Sequence, residues 1–162
     1  MNIKQYLTTH SVEPSNFQLV QLDKIEKNNI NVYSACLFLI NIIAGYKYKY
    51  NLYTILFTLL WITSVIYHSN PNNYTYYIDQ VAVFSVVFYG GYIFCKNYIW
   101  TTILDKFICI CIIATFLGTI FLYHYGKKTN TLCKDPCKKT GQLYHALLHG
   151  LTSIGHLMIM FL

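Results

Sequence analysis

Five apolar runs follow one another from about residue 30 to the C-terminus, and polar stretches separate them. A hydrocarbon core of about 30 Å is crossed by roughly 20 apolar residues in a helix, and inside lipid the backbone must satisfy its own hydrogen bonds. The runs therefore read as transmembrane helices at about 30–46, 52–68, 76–94, 107–125 and 142–162, with Tyr98 to Leu104 as an interfacial piece between the third and fourth. A length of 162 residues suits one domain. Its 55% hydrophobic and 11% charged residues exclude an ordinary soluble fold. The expected fold is an all-α integral membrane protein, a bundle of about five transmembrane helices occupying 30–162. Residues 1–29 form a polar N-terminal segment that lacks a cleavable signal pattern. Within it, Ser15 and Asn16 are placed to cap a short amphipathic helix through Phe17, Leu19, Val20 and Leu22, lying at the membrane surface.

The formal charge of +6 arises from 12 lysines against 6 acids, and the lysines fall in tails and loops between the apolar runs. They form no basic stripe, which excludes nucleic acid as a partner. Loop lysines in such a chain report topology instead. Lys4, Lys24, Lys27, Lys127, Lys128, Lys134, Lys138 and Lys139 share one side, against Lys47, Lys49, Lys96 and Lys106 on the other, so the first side is expected to be cytoplasmic. The Asn73-Tyr74-Thr75 sequon points the opposite way. Four of the cysteines lie in or beside apolar runs and read as packing residues. Cys133 and Cys137 sit in a polar loop, as a local disulfide in an oxidising compartment or a free thiol pair otherwise.

Of the six acids, Asp79 alone lies in an apolar run with no cation beside it. An ionisable residue there is costly and marks a functional site by default. Histidines gather at the same level. His145 and His149 are four residues apart, so a helix stacks them on one face, where they suit either packing or metal binding. His68 ends the second run, one helical turn after Ser64. Two crossings, the third and fourth, lie between His68 and His145, which returns the chain to the same side of the membrane. A sixth crossing at Tyr98 to Leu104 would instead separate them by about 20 Å or more. Three imidazoles with a fourth position open form a catalytic zinc site, in which bound water ionises near pH ~7. His68, His145 and His149 are the expected ligands, Asp79 the group that takes the water's proton, and Ser64 a hydrogen-bond donor to a developing oxyanion. His124 and His156 are alternatives, as ligands or behind them. Such a site hydrolyses an amide or ester, and its depth in the bilayer suggests a lipid.

Ser-x-x-x-His at Ser64 and His68, Asp79 near the next helix start, and His-x-x-x-His at His145 and His149 resemble the CREST superfamily of membrane hydrolases. His145-Ala146-Leu147-Leu148-His149, followed by Leu151, Thr152 and Gly155, is most similar to the final helix of alkaline ceramidases. Ser64 to Ser69 is also similar to the progestin/adiponectin receptor and haemolysin-III branch. The resemblance covers roughly Leu52 to the C-terminus. It implies a zinc ion held by His68, His145 and His149, with Ser64 and Asp79 positioning the water, and a ceramide-like membrane lipid as substrate. Family members have seven spans, so this chain is expected to be a reduced version of that core, with missing walls absent or supplied by a second copy in a homo-oligomer. The expected location is an endomembrane, ER or Golgi. A receptor-like or membrane-remodelling protein that keeps the fold and the zinc without catalysis is the alternative, and a haem-binding bundle is a third reading.

Overall fold

The computed structural model describes residues 29–162, so the amphipathic helix expected within 1–29 lies outside the described residues. Among the described residues all regular structure is helical. The first crossing is a broken rod, α1 (Ile30–Ala35) and α2 (Phe38–Lys47). Around Cys36 and Leu37 the backbone tightens to i→i−3 bonds, Leu37 N–H to Ser34 and Ile40 N–H to Leu37 among them. The Leu37 carbonyl also accepts from the Ser153 hydroxyl at 3.1 Å, so a side chain from another helix enters the ladder at the break.

α3 (Asn51–Ser69) returns across the bilayer and α4 (Asn73–Asn97) crosses back. α4 begins three residues earlier than its apolar run, because Asn72 and Thr75 form a reciprocal capping box. The sequon is therefore the first turn of this helix, with Thr75 engaged in its cap. α5 (Ile103–Ile120) opens on a second capping box, Thr102 with Asp105, which accounts for Asp105 as a cap and leaves Asp79 as the acid within the bundle. α5 continues through a π-helical turn (Phe121–Tyr125) into α6 (Gly126–Thr129), so the fourth crossing runs the 27 residues Ile103–Thr129 rather than 107–125. Tyr98 to Thr102 form a non-helical link, and there is no additional crossing there.

The last helix, α7 (Lys138–Met160), starts four residues before the apolar pattern does. Among the described residues, four stretches are long and apolar enough to cross a membrane, Ile30–Lys47, Asn51–Ser69, Asn73–Asn97 and Ile103–Thr129. α7 has the length, 23 residues or about 35 Å, but not the apolar content, because it carries three histidines, a serine and two threonines. Its position explains this. α7 packs against α1, α2, α4 and α5, so its polar groups meet protein instead of lipid. Most of the lipid-facing surface is made by the other helices, through exposed residues such as Ile43, Ile55, Val81, Phe88 and Ile110, and α7 adds only Leu143, Leu147 and Ile154 to it. α4 and α5 follow one another in sequence yet scarcely touch, and the seam between them stays open.

In the loop before α7, Cys133 and Cys137 are free thiols. Burial pushes the Cys133 thiol up to about 11. Hydrogen bonds from Thr140 hold the exposed Cys137 below the usual thiol range, so more of it is thiolate at neutral pH and Cys137 is expected to alkylate faster than Cys133. This gives a test of the crossing number in sealed vesicles. Cys137 and an Asn70→Cys substitution, each as the single reactive cysteine, should react with a membrane-impermeant maleimide from the same side, and Lys49→Cys from the other. Labelling of Asn70→Cys and Cys137 from opposite sides would overturn the five-crossing arrangement.

Candidate metal centre

Three helices deliver the site by extending their core stripes to one membrane face. On α3 the buried positions are Tyr53, Phe57, Leu60, Ser64 and His68, spaced four, three, four and four. On α4 the stripe runs Asp79, Ala82, Val86, Gly90 and Ile93. Ser64, His68 and Asp79 thus occupy core positions in which an apolar residue would ordinarily sit. α7 begins at Lys138, which places His145 two turns inside the helix and brings His149 to a buried position.

The three expected ligands converge. Ring centroids are 4.9 Å apart for His68 and His145, 5.4 Å for His68 and His149, and 4.7 Å for His145 and His149. One nitrogen from each ring lies within 4.8 Å of the others. Bonds of about 2.0–2.1 Å to a tetrahedral ion require closer nitrogens than this, so binding would draw the three rings together. The donor set suits a borderline metal that accepts imidazole. The His68 Nε2 is buried with no hydrogen-bond partner, an arrangement that costs free energy unless a ligand or ion completes it.

His149 is oriented from behind. The Ser34 hydroxyl is directed at the Asn31 carbonyl at 3.1 Å, so its oxygen accepts from His149 Nδ1–H at 2.9 Å and leaves Nε2 for the shared centre. Asn29 donates to the His68 carbonyl at 2.7 Å, tying the start of α1 to the end of α3. Phe38 packs on the His149 ring, with centroids 5.1 Å apart. Neither Ser34 nor Asn29 was apparent from the histidine spacing. The signal was Ser34 and Asn41, seven residues apart in an otherwise apolar run and so on one helical face.

Asp79 is buried and its Oδ1 accepts from Ser64 at 2.6 Å and from Thr63 at 3.2 Å. The Ser64 proton expected for an oxyanion is therefore committed to Asp79, and the serine positions the carboxylate. Beside these groups opens a cavity of about 420 Å³ between α4, α5 and α7, with Ser64, Asp79, His145 and His149 in its wall. His124 also lines it, from the exposed π-helical turn. His156 does not. It is fully buried, two turns beyond His149, with Nδ1 on Tyr53 Oη at 3.0 Å and its ring against Phe57 and Phe116.

The chain is thus a multi-pass membrane helical bundle with a three-imidazole site of metal-binding geometry. Compared with known protein families, with characterised proteins and with solved structures, it gives no match. Its chemistry is read from the site alone. Removal of the hydroxyl behind His149, by Ser34→Ala, should weaken metal binding about 10–100-fold, as loss of such an outer hydrogen bond does elsewhere. Competition against a chromophoric chelator reads the affinity, and an unchanged value would remove Ser34 from the centre.

Proposed function

We propose that this chain is a zinc-dependent integral-membrane hydrolase of an amide-linked lipid, of the alkaline ceramidase type within the CREST superfamily. The observation that carries the reading is the convergence of His68, His145 and His149 beside a largely apolar cavity, whose wall includes His145 and His149 together with the Asp79 and Ser64 pair. When bound to the three imidazoles, zinc supplies Lewis acidity and a water that ionises near neutral pH.

The chain's own groups supply the proton handling. Asp79 takes the proton from the attacking water as the water oxygen bonds to the amide carbon. It then returns that proton to the amide nitrogen as the C–N bond breaks, leaving a fatty acid and an amine. The Ser64 and Thr63 hydroxyls point the carboxylate at the cavity throughout. Thr152 Oγ1, one turn beyond His149 in the cavity wall, is buried without a partner and suits a polar atom of the lipid near the scissile bond. Rings 4.7 to 5.4 Å apart leave no gap for a planar macrocycle between any two of them, which weighs against haem.

The excess of lysines on the site side supports a cytoplasmic centre in an endomembrane. A second reading, lipid sensing or membrane remodelling without turnover, is favoured by one feature. The α4 and α5 seam is unsealed, so bilayer lipid reaches and leaves the site without the helices parting.

Purified protein is expected to hold about one zinc per chain and to release fatty acid from ceramide. His145→Ala should lose metal and activity together, and metal-free wild type with full activity would sink the proposal. Asp79→Asn separates the two readings. It should keep the zinc and lose roughly 10²- to 10⁴-fold in rate, the usual contribution of a general base. A cellular function untouched by Asp79→Asn, with the metal retained, would favour the non-enzymatic reading.

A further inference from the structure

The seam between α4 and α5 holds a second cavity of about 190 Å³, lined by Gly91, Phe94, Ile112, Ile113, Phe116 and Leu117. It lies on the same track as the first. The α4 residues facing the larger cavity include Gln80, Val83, Phe84, Val87 and Phe88, and the series continues at Gly91 and Phe94 into the smaller one. Phe116 lines both and stands between them. From Asp79 to Phe88 the track descends about 13 Å at 1.5 Å per residue, close to half of a ~30 Å hydrocarbon core, which is the depth that one leaflet's acyl chains occupy.

The wall of this track is apolar below the metal centre. Thr115 and Thr119 turn their hydroxyls back to the Ile112 and Thr115 carbonyls, at 2.7 and 2.8 Å, and present methyl groups. The track opens laterally, because α4 and α5 scarcely touch, and its rim carries the lipid-facing side chains Phe84, Phe88, Ile113 and Leu117. Phe116 is braced from behind. Its ring stands edge-on to His156 with centroids 5.2 Å apart, and His156 is itself held by Tyr53 and by the close approach of Gly90, where even a Cβ would collide with both.

We propose that Phe116 is the floor of an acyl-chain channel and sets the length of lipid chain that the site accepts, with Gly91 leaving space below it. The proposal rests on the lipid-hydrolase reading for its substrate class. The occupant is an extended acyl chain whose polar end reaches the imidazoles and whose terminal methyl meets the Phe116 ring. His156, which the metal centre leaves unused, acts as the brace that fixes this ring.

The test uses the full chain in lipid nanodiscs and a series of ceramides that differ only in N-acyl length. Phe116→Ala joins the two cavities, and the ratio of kcat/KM for long over short chains should rise roughly tenfold or more, the scale set by added methylenes in an apolar pocket. Gly91→Phe built onto Phe116→Ala refills the lower cavity and should reverse the shift, since a Cβ added at Gly91 meets nothing within 4 Å. The same variants are read by native mass spectrometry for the lengths of ceramide they retain. That second readout keeps the two proposals apart, since absence of turnover with a length shift in retained ceramide sinks only the hydrolase. A length profile identical in wild type, Phe116→Ala and the milder Phe116→Leu, all monodisperse and lipid-binding, would overturn the ruler.

Discussion

Water is absent from the interior of a bilayer, so each polar side chain in these helices must find its partner within the protein. The rest of the structure follows from this constraint. Asn41, Ser64, His68, Asp79, His149, Ser153 and His156 are all buried, while isoleucines, leucines and phenylalanines cover the outside. α7 contributes three of those seven groups and occupies the centre of the bundle. Its neighbours adapt to it. Asn41 donates to Ser153, Ser153 donates to the Leu37 carbonyl, and the first crossing is broken at that carbonyl. The kink between α1 and α2 also seats Ser34 behind His149, which couples the packing of the polar helix to the orientation of a candidate metal ligand.

The histidine convergence was legible in the sequence because it depends on two robust quantities, helical periodicity and the number of crossings. Ser64 and His68 fall four apart, as do His145 and His149, and two crossings lie between the pairs. Neither inference depends on exact helix ends, so the errors in the ends were harmless. Those errors have local causes. Asn72 with Thr75 and Thr102 with Asp105 cap helices outside the apolar windows, and hydropathy carries no information about caps. The partner of Ser64 was hidden for a related reason. Spacing places its hydroxyl on the right face but does not reveal that it donates to Asp79 Oδ1 at 2.6 Å. The seam between α4 and α5 was illegible. Sequence patterns report which face of a helix is apolar, and in a membrane a face that meets lipid looks the same as a face that meets another helix.

The seam gives the site its character. A bundle that sealed α4 against α5 would bury the imidazoles behind protein, and a lipid would reach them only after the helices parted. With the helices splayed, the metal centre and the hydrocarbon share one continuous space, polar at the level of His145 and apolar at the level of Phe116. That gradient matches a membrane lipid, whose reactive linkage lies at the interface and whose chain lies below it. It also separates two kinds of residue by depth. The candidate ligands and Asp79 stand at one membrane face, where protons can be exchanged with water. His156 stands two helical turns beyond His149, away from such exchange, with Nδ1 on Tyr53 and its ring edge on Phe116. The same residue type on the same helix is a candidate ligand at one depth and a brace at the other, because depth in the bilayer decides whether an imidazole has access to anything but protein.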